Sequence, residues 1–98
     1  MATNSMVARV PTAQGSRYLQ QLCKHWSHKM VVEFTAEAGK ITFPAGAVVT
    51  MTAHPADLEV EIALPPGGEA DQMQKVVASH LDRFAFREAP LAFDWAPG

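Results

Sequence analysis

The pattern of hydrophobic and polar residues predicts short strands alternating with two helices. Residues 6–10 form a short, β-branched segment, MVARV, that is typical of a first strand. Across residues 16–30, apolar side chains return at three- and four-residue steps, which predicts an amphipathic helix. The stripe consists of Leu19, Leu22, Cys23, Trp26 and Met30.

Four further segments alternate with a period of two, as half-buried strands do. They read MVVEFTA, KITFPA, AVVTMTA and LEVEIAL. Gly39 favours a hairpin between the first two of these strands. Pairing the last two across the segment HPAD places Met51 opposite Val60 and Val49 opposite Ile62.

A second apolar stripe begins near Asp71 and continues to about Arg87, which predicts the second helix. Its members are Met73, Val76, Val77, His80, Leu81 and Phe84. The last segment, PLAFDWAPG, alternates again and fits either a short extra strand or a tail lying across the helices.

The predicted order is therefore β-α-β-β-β-β-α. Helices with one apolar stripe and a sheet with one apolar face pack as two layers. We expect an α+β two-layer sandwich with both helices on one face of a curved antiparallel sheet. This order is compatible with TATA-box-binding-protein-like folds, although a fold alone defines no function. At 98 residues, the chain is expected to form one domain over residues 1–98.

Charge is distributed unevenly along the chain. The net charge of −2 argues against general nucleic-acid binding. Four basic residues and no acidic residue precede Glu33. The first helix is therefore locally cationic, and it forms either an ordinary solvated face or a surface that attracts a small anion.

The chain carries a single cysteine, Cys23, so no internal disulfide is possible and a reducing compartment is expected. The first residues lack the pattern of a secretory signal. No apolar run approaches the roughly 18 residues that span a bilayer. We therefore expect a cytoplasmic protein without membrane contact.

The segment CKHWSHK raises the question of a metal site. His25 and His28 lie three residues apart, and two imidazoles at that spacing on a helix are able to share one metal ion. A third ligand from Glu33, His54 or Cys23 would be needed. The alternative is structural, because cationic side chains are favourable near a helix C-terminus.

His80 interrupts the apolar stripe of the second helix. It is either a core histidine bonded to Tyr18, Ser27 or a backbone carbonyl, or the base of a cleft beside Arg83. Trp26 similarly either fills the core or offers an aromatic wall to a flat ligand. The candidate ligand-binding residues are His25, Trp26, His28, Lys29, His80 and Arg83.

Two segments, RYLQQLCKHWSHK and HLDRFAFREAPLAFDW, resemble the bacterial family called domain of unknown function 2218. The resemblance extends from Arg17 to Trp95, and the family has no established activity. Some relatives are attached to siderophore-interacting proteins, which are flavin-dependent reductases of ferric siderophores. The resemblance thus implies a function near bacterial iron acquisition, with a siderophore-related molecule or such a reductase as partner.

No catalytic constellation and no flavin or nicotinamide motif is present in the sequence, so no cofactor can be named. The leading hypothesis is a non-catalytic binding or accessory module. One alternative is a metal-dependent or acid–base enzyme that uses His25, His28 and His80. The other is a structural protein that forms a homodimer through the outer face of its sheet.

Overall fold

Alternating apolar positions build one antiparallel sheet, and the two apolar stripes become helices that cover it. A computed structural model describes residues 4–68 and 70–97. Its elements are β1 (Asn4–Pro11), α1 (Gly15–Trp26), β2 (Val31–Phe34), β3 (Ala38–Thr42), β4 (Val48–Ala53), β5 (Asp57–Leu64), α2 (Ala70–Phe84) and β6 (Ala96–Pro97). The strands lie in the order β2-β3-β4-β5-β1-β6.

The predicted two-layer α+β sandwich is confirmed, with both helices on one face of the sheet. The register matches the prediction, since Met51 pairs with Val60 and Val49 pairs with Ile62. All four of these side chains are fully buried and face the helices. The residues between them along each strand are only half-buried, so the opposite face of the sheet is open.

The segment after α2 forms the short extra strand that was one of the two arrangements the sequence allowed. Leu91 is buried, and the half-buried Phe93 and Trp95 stack with ring centroids 5.7 Å apart. Ala96 and Pro97 then pair with β1 as a short sixth strand. The sheet therefore has one strand more than the five in the predicted order.

The first helix is shorter than the sequence pattern predicts. Instead of continuing to Met30, α1 ends at Trp26, whose carbonyl accepts the backbone N–H groups of both Lys29 and Met30 at 3.0 Å. The Ser27 hydroxyl donates to the Lys24 carbonyl at 2.8 Å and satisfies another group of the last turn. His28 and Lys29 consequently lie in a turn rather than on a helix.

The second helix also ends earlier than expected, at Phe84 rather than near Arg87. Residues 85–88 form a turn, closed by the Glu88 N–H donating to the Ala85 carbonyl at 2.8 Å. Pro90 follows shortly afterwards, and proline disfavours helical geometry in the residue before it. Phe86 and Arg87 therefore project from a turn at the end of α2.

None of the helices in the described part of the chain has the length and hydropathy that a membrane crossing requires.

Candidate functional site

The two helices run antiparallel and meet along one flank of each. The C-terminal part of α1 meets the middle of α2, with the His25 ring centroid 5.6 Å from that of His80 and 5.8 Å from that of Phe84. Near the start of α1, the Tyr18 hydroxyl instead reaches Glu88, beyond the end of α2. Residues four apart on a helix lie on one flank. We call the surface between these flanks the interhelical groove; its residues are Arg17, Gln21, His25, His80, Phe84, Phe86 and Arg87.

His80 forms part of the groove with its imidazole held in one orientation. Its Nδ1 lies 2.7 Å from the Val76 carbonyl oxygen, which accepts only, so Nδ1 carries a proton. The ring packs against Trp26 at 4.9 Å, and Trp26 in turn meets the edge of Phe43 at 5.1 Å. In the neutral imidazole, Nε2 is then the nitrogen left to accept a hydrogen bond.

His25 lies in a strongly positive environment. Partial desolvation lowers its pKa, and the nearby charges of His80, Arg83, Lys29 and His28 lower it further. A neutral imidazole is consequently favoured at physiological pH. The same charges that disfavour a proton on His25 would attract an anion to this end of the groove.

The other end of the groove contains a pocket of about 240 Å³. Its walls are Arg17, Tyr18, Gln21, Phe84, Phe86 and Arg87. The Phe86 side chain is 70% exposed, and the Arg87 guanidinium carbon lies 5.7 Å from its ring centroid. The pocket thus combines two permanent positive charges with aromatic surface.

A hydrogen-bonded group beside this pocket was not predicted from the sequence. The Tyr18 hydroxyl donates to Glu88 Oε2, and the Thr12 hydroxyl donates to the same oxygen at 3.0 Å. Thr12 is buried and also accepts the Gln14 N–H at 3.0 Å. Because Thr12 and Glu88 are 76 positions apart, no local spacing indicates that they meet.

The structure brings some of the predicted site residues together and separates others. His25 and His80 line the groove, and Arg83 adds positive charge beside them. Trp26 is only 4% exposed, so it supports His80 from the core instead of forming an aromatic wall. His28 and Lys29 border a separate open depression beside Phe43 and Pro44.

In the part of the chain that the structure describes, the proposed metal pair has no complete ligand set. His28 lies in the turn after α1, beyond the end of the helix that the spacing argument assumed for both imidazoles. Within residues 4–68 and 70–97, no group of three His, Cys, Asp or Glu side chains is arranged to hold a metal ion. Cys23, one of the suggested third ligands, is fully buried.

Comparisons with known proteins agree with the fold. The geometry defines a class of protein, namely a two-layer α+β protein with a basic groove between its helices. The chain belongs to the bacterial family described as "uncharacterized protein conserved in bacteria", domain of unknown function 2218, whose profile matches residues 7–96. This confirms the resemblance seen in the sequence.

A solved structure has the same fold. The chain is similar to PA4090 from Pseudomonas aeruginosa, known from an NMR structure, with 35% sequence identity and a TM-score of 0.75. The similarity covers 96% of each chain. No curated protein matches this chain.

Proposed function

We propose that the protein is a non-catalytic binding or accessory module that holds an anionic ligand in the interhelical groove. The observation that carries this proposal is the accumulation of basic side chains there. Arg17 and Arg87 line the pocket, and Arg83 lies near His25. Among the residues that the structure describes, none of these three arginines forms an ion pair.

The ion pairs of the described residues lie elsewhere, on the open face of the sheet. Arg9 lies 3.6 Å from both Asp57 and Glu59. His54 Nε2 lies within hydrogen-bonding distance of Glu59, at 3.1 Å. Acidic side chains therefore accompany the basic ones on that face. Basic side chains that lack such partners are available to bind an external anion.

A siderophore-related ligand is the specific form of this proposal. It draws on the resemblance to relatives attached to siderophore-interacting proteins. Catecholate ligands are flat and anionic, and the groove offers guanidinium groups beside aromatic rings. Such a module would present the ligand to a reductase or keep it in the cell.

The single neighbouring thiol gives no support to nucleophilic catalysis. Cys23 is fully buried, and burial raises its pKa to about 11. A catalytic thiolate requires the opposite shift and access to solvent. The buried, protonated state of the Cys23 thiol therefore favours ligand binding at the groove over nucleophilic catalysis.

Isothermal titration calorimetry with sulfate, citrate and ferric siderophores of the catecholate and hydroxamate classes tests the proposal. We expect at least one of these anions to bind the native protein. The Arg17→Gln/Arg87→Gln variant should lose about tenfold or more in affinity.

The matched control is Lys40→Gln/Lys75→Gln, which removes the same charge at exposed positions outside the groove. It should retain the native affinity. Equal losses in the two double variants, or no binding by any anion of the panel, would overturn the proposal.

A further inference from the structure

Two arginines from different elements line the pocket at the arginine end of the groove. Arg17 comes from the first turn of α1, and Arg87 comes from the turn after α2. A guanidinium matches a carboxylate because it donates two parallel hydrogen bonds. Gln21 lies one helical turn beyond Arg17 and adds an amide that both donates and accepts.

The same pocket exposes aromatic surface to water. Phe86 is 70% exposed, and the half-buried Phe84 lines the pocket beside it. Covering an exposed aromatic ring with a ligand is favourable, because it removes apolar surface from water. Offset or edge-to-face contacts with a second ring stabilise the complex further. A ligand with an apolar, planar part is therefore favoured over a compact inorganic anion.

The size of the pocket limits the ligand further. Pockets for drug-sized ligands have volumes of about 300–1,000 Å³. The pocket of about 240 Å³ lies below that range. It fits a single ring with its substituents, or one ring-bearing arm of a larger molecule.

From these features we infer that this pocket binds an aromatic carboxylate, with the carboxylate between Arg17 and Arg87 and the ring against Phe84 and Phe86. The inference rests on the proposed function and specifies the ligand class of its groove. Glu88 carries an opposing charge beside the pocket, and its Oε2 accepts hydrogen bonds from Tyr18 and Thr12. Those bonds hold this carboxylate at the side of the pocket.

NMR titration of the isotope-labelled protein tests the inference with benzoate as the probe. Acetate supplies the carboxylate without the ring, benzamide supplies the ring without the charge, and sulfate supplies a compact anion. We expect benzoate to bind about tenfold more tightly than each of the three. The perturbed amides should lie in residues 17–21 and 84–87.

Two variants separate the aromatic contribution from a general loss of structure. Phe86→Ala should weaken benzoate binding severalfold and leave sulfate binding unchanged. Val31→Ala is the matched control, because Val31 is 69% exposed and lies in β2, at the far edge of the sheet. It should change neither affinity.

The possible results distinguish this inference from the proposed function. If sulfate, acetate and benzoate bind the groove equally and Phe86→Ala has no effect, the aromatic inference is overturned while the anion-binding proposal stands. Equal binding of benzamide and benzoate overturns carboxylate recognition. If benzoate and all the anions of both panels fail to bind, both proposals fall.

Discussion

Cys23 illustrates at the residue scale how packing controls chemistry. The thiol is fully buried on the sheet side of α1, and desolvation raises its pKa from 9.0 to about 11. We expect a thiol reagent at about pH 8 to leave the folded protein unmodified. The reaction rate in increasing urea should then follow the unfolded fraction. Rapid labelling of the protein without denaturant would contradict this prediction.

The raised pKa of Cys23 also determines how the stability of the protein changes with pH. Above pH 9.0 the unfolded chain loses the thiol proton while the folded chain retains it up to about 11. The folded state then binds more protons, so stability falls as the pH rises through this window.

Tyr18 connects α1 to the turn after α2 through its hydroxyl. The residue is 5% exposed, and its hydroxyl donates to Glu88 Oε2. Replacing Tyr18 with Phe keeps the ring but removes this bond to a charged acceptor. We expect a loss of about 1–2 kcal/mol in the free energy of unfolding, measured in urea. An unchanged unfolding midpoint would show that the bond contributes nothing.

Tyr18 is also the single tyrosine of the chain, so its ionisation is directly visible in the ultraviolet spectrum. Burial raises its pKa above 10.0, and the Glu88 carboxylate raises it further. The folded protein should therefore form tyrosinate at higher pH than the urea-unfolded protein. The contribution of the protonated Tyr18 hydroxyl to stability is present below about pH 10. It is lost as the pH rises through the pKa of Tyr18 in the folded protein.

Single residues show what the sequence allowed us to predict about the site. The periodicity of α2 correctly placed His80 in the apolar stripe, facing α1. It left Tyr18, Ser27 and a backbone carbonyl open as partners of the ring, and the choice of the Val76 carbonyl depends on the rotamer. The contact of Tyr18 with Glu88 was beyond prediction, since tertiary packing alone brings these residues together.

At the scale of elements, the strands were easier to predict than the ends of the helices. A period of two fixed the buried faces of β4 and β5 and hence their register. Met30, by contrast, continues the helical spacing of α1 although the helix ends at Trp26. The chain must turn at this point to enter β2, and tertiary structure overrides the local pattern.

The close approach of α1 to β3 depends on Gly39. A Cβ atom at this position would lie 2.7 Å from Cys23 Sγ and 3.5 Å from Leu19 Cδ1. Gly39→Ala should therefore force the helix and strand apart and cost about 1–3 kcal/mol, as overpacking typically does. Urea unfolding measures the loss.

A double-mutant cycle tests the cause of that loss. Cys23→Ala removes the sulfur atom that the new methyl group would meet. The double variant should then be more stable than the sum of the two single effects predicts. Strictly additive effects would mean that the Gly39→Ala loss arises elsewhere.

At the scale of the whole molecule, the two sides differ in charge. The open face of the sheet pairs Arg9 with Asp57 and Glu59. The helix side instead gathers Arg17, Arg83 and Arg87 around the interhelical groove. The sequence indicated a basic first helix and named Arg83 of the second helix as a candidate ligand, but the contribution of Arg87 in the following turn became evident only from the fold.

The concentration of positive charge on the helix side predicts how a bound anion would change the pKa of His25. In the free protein, partial desolvation and the charges of His80, Arg83, Lys29 and His28 lower the pKa of His25. Between that lowered value and about 6.5, the unfolded chain binds the proton more readily, so stability falls as the pH decreases. An anion in the groove would offset the surrounding positive charge and raise the pKa.

By linkage, an anion that raises the pKa of His25 binds more tightly to the protonated protein. Sulfate is a suitable probe, because its charge stays constant from about pH 5 to about pH 8, where histidine titrates. NMR titration of the His25 ring should give a higher pKa in saturating sulfate, and sulfate affinity should increase as the pH falls below about 6.5. In His25→Gln, this increase should be reduced. A His25 pKa that is unchanged by saturating sulfate would place the anion away from this end of the groove.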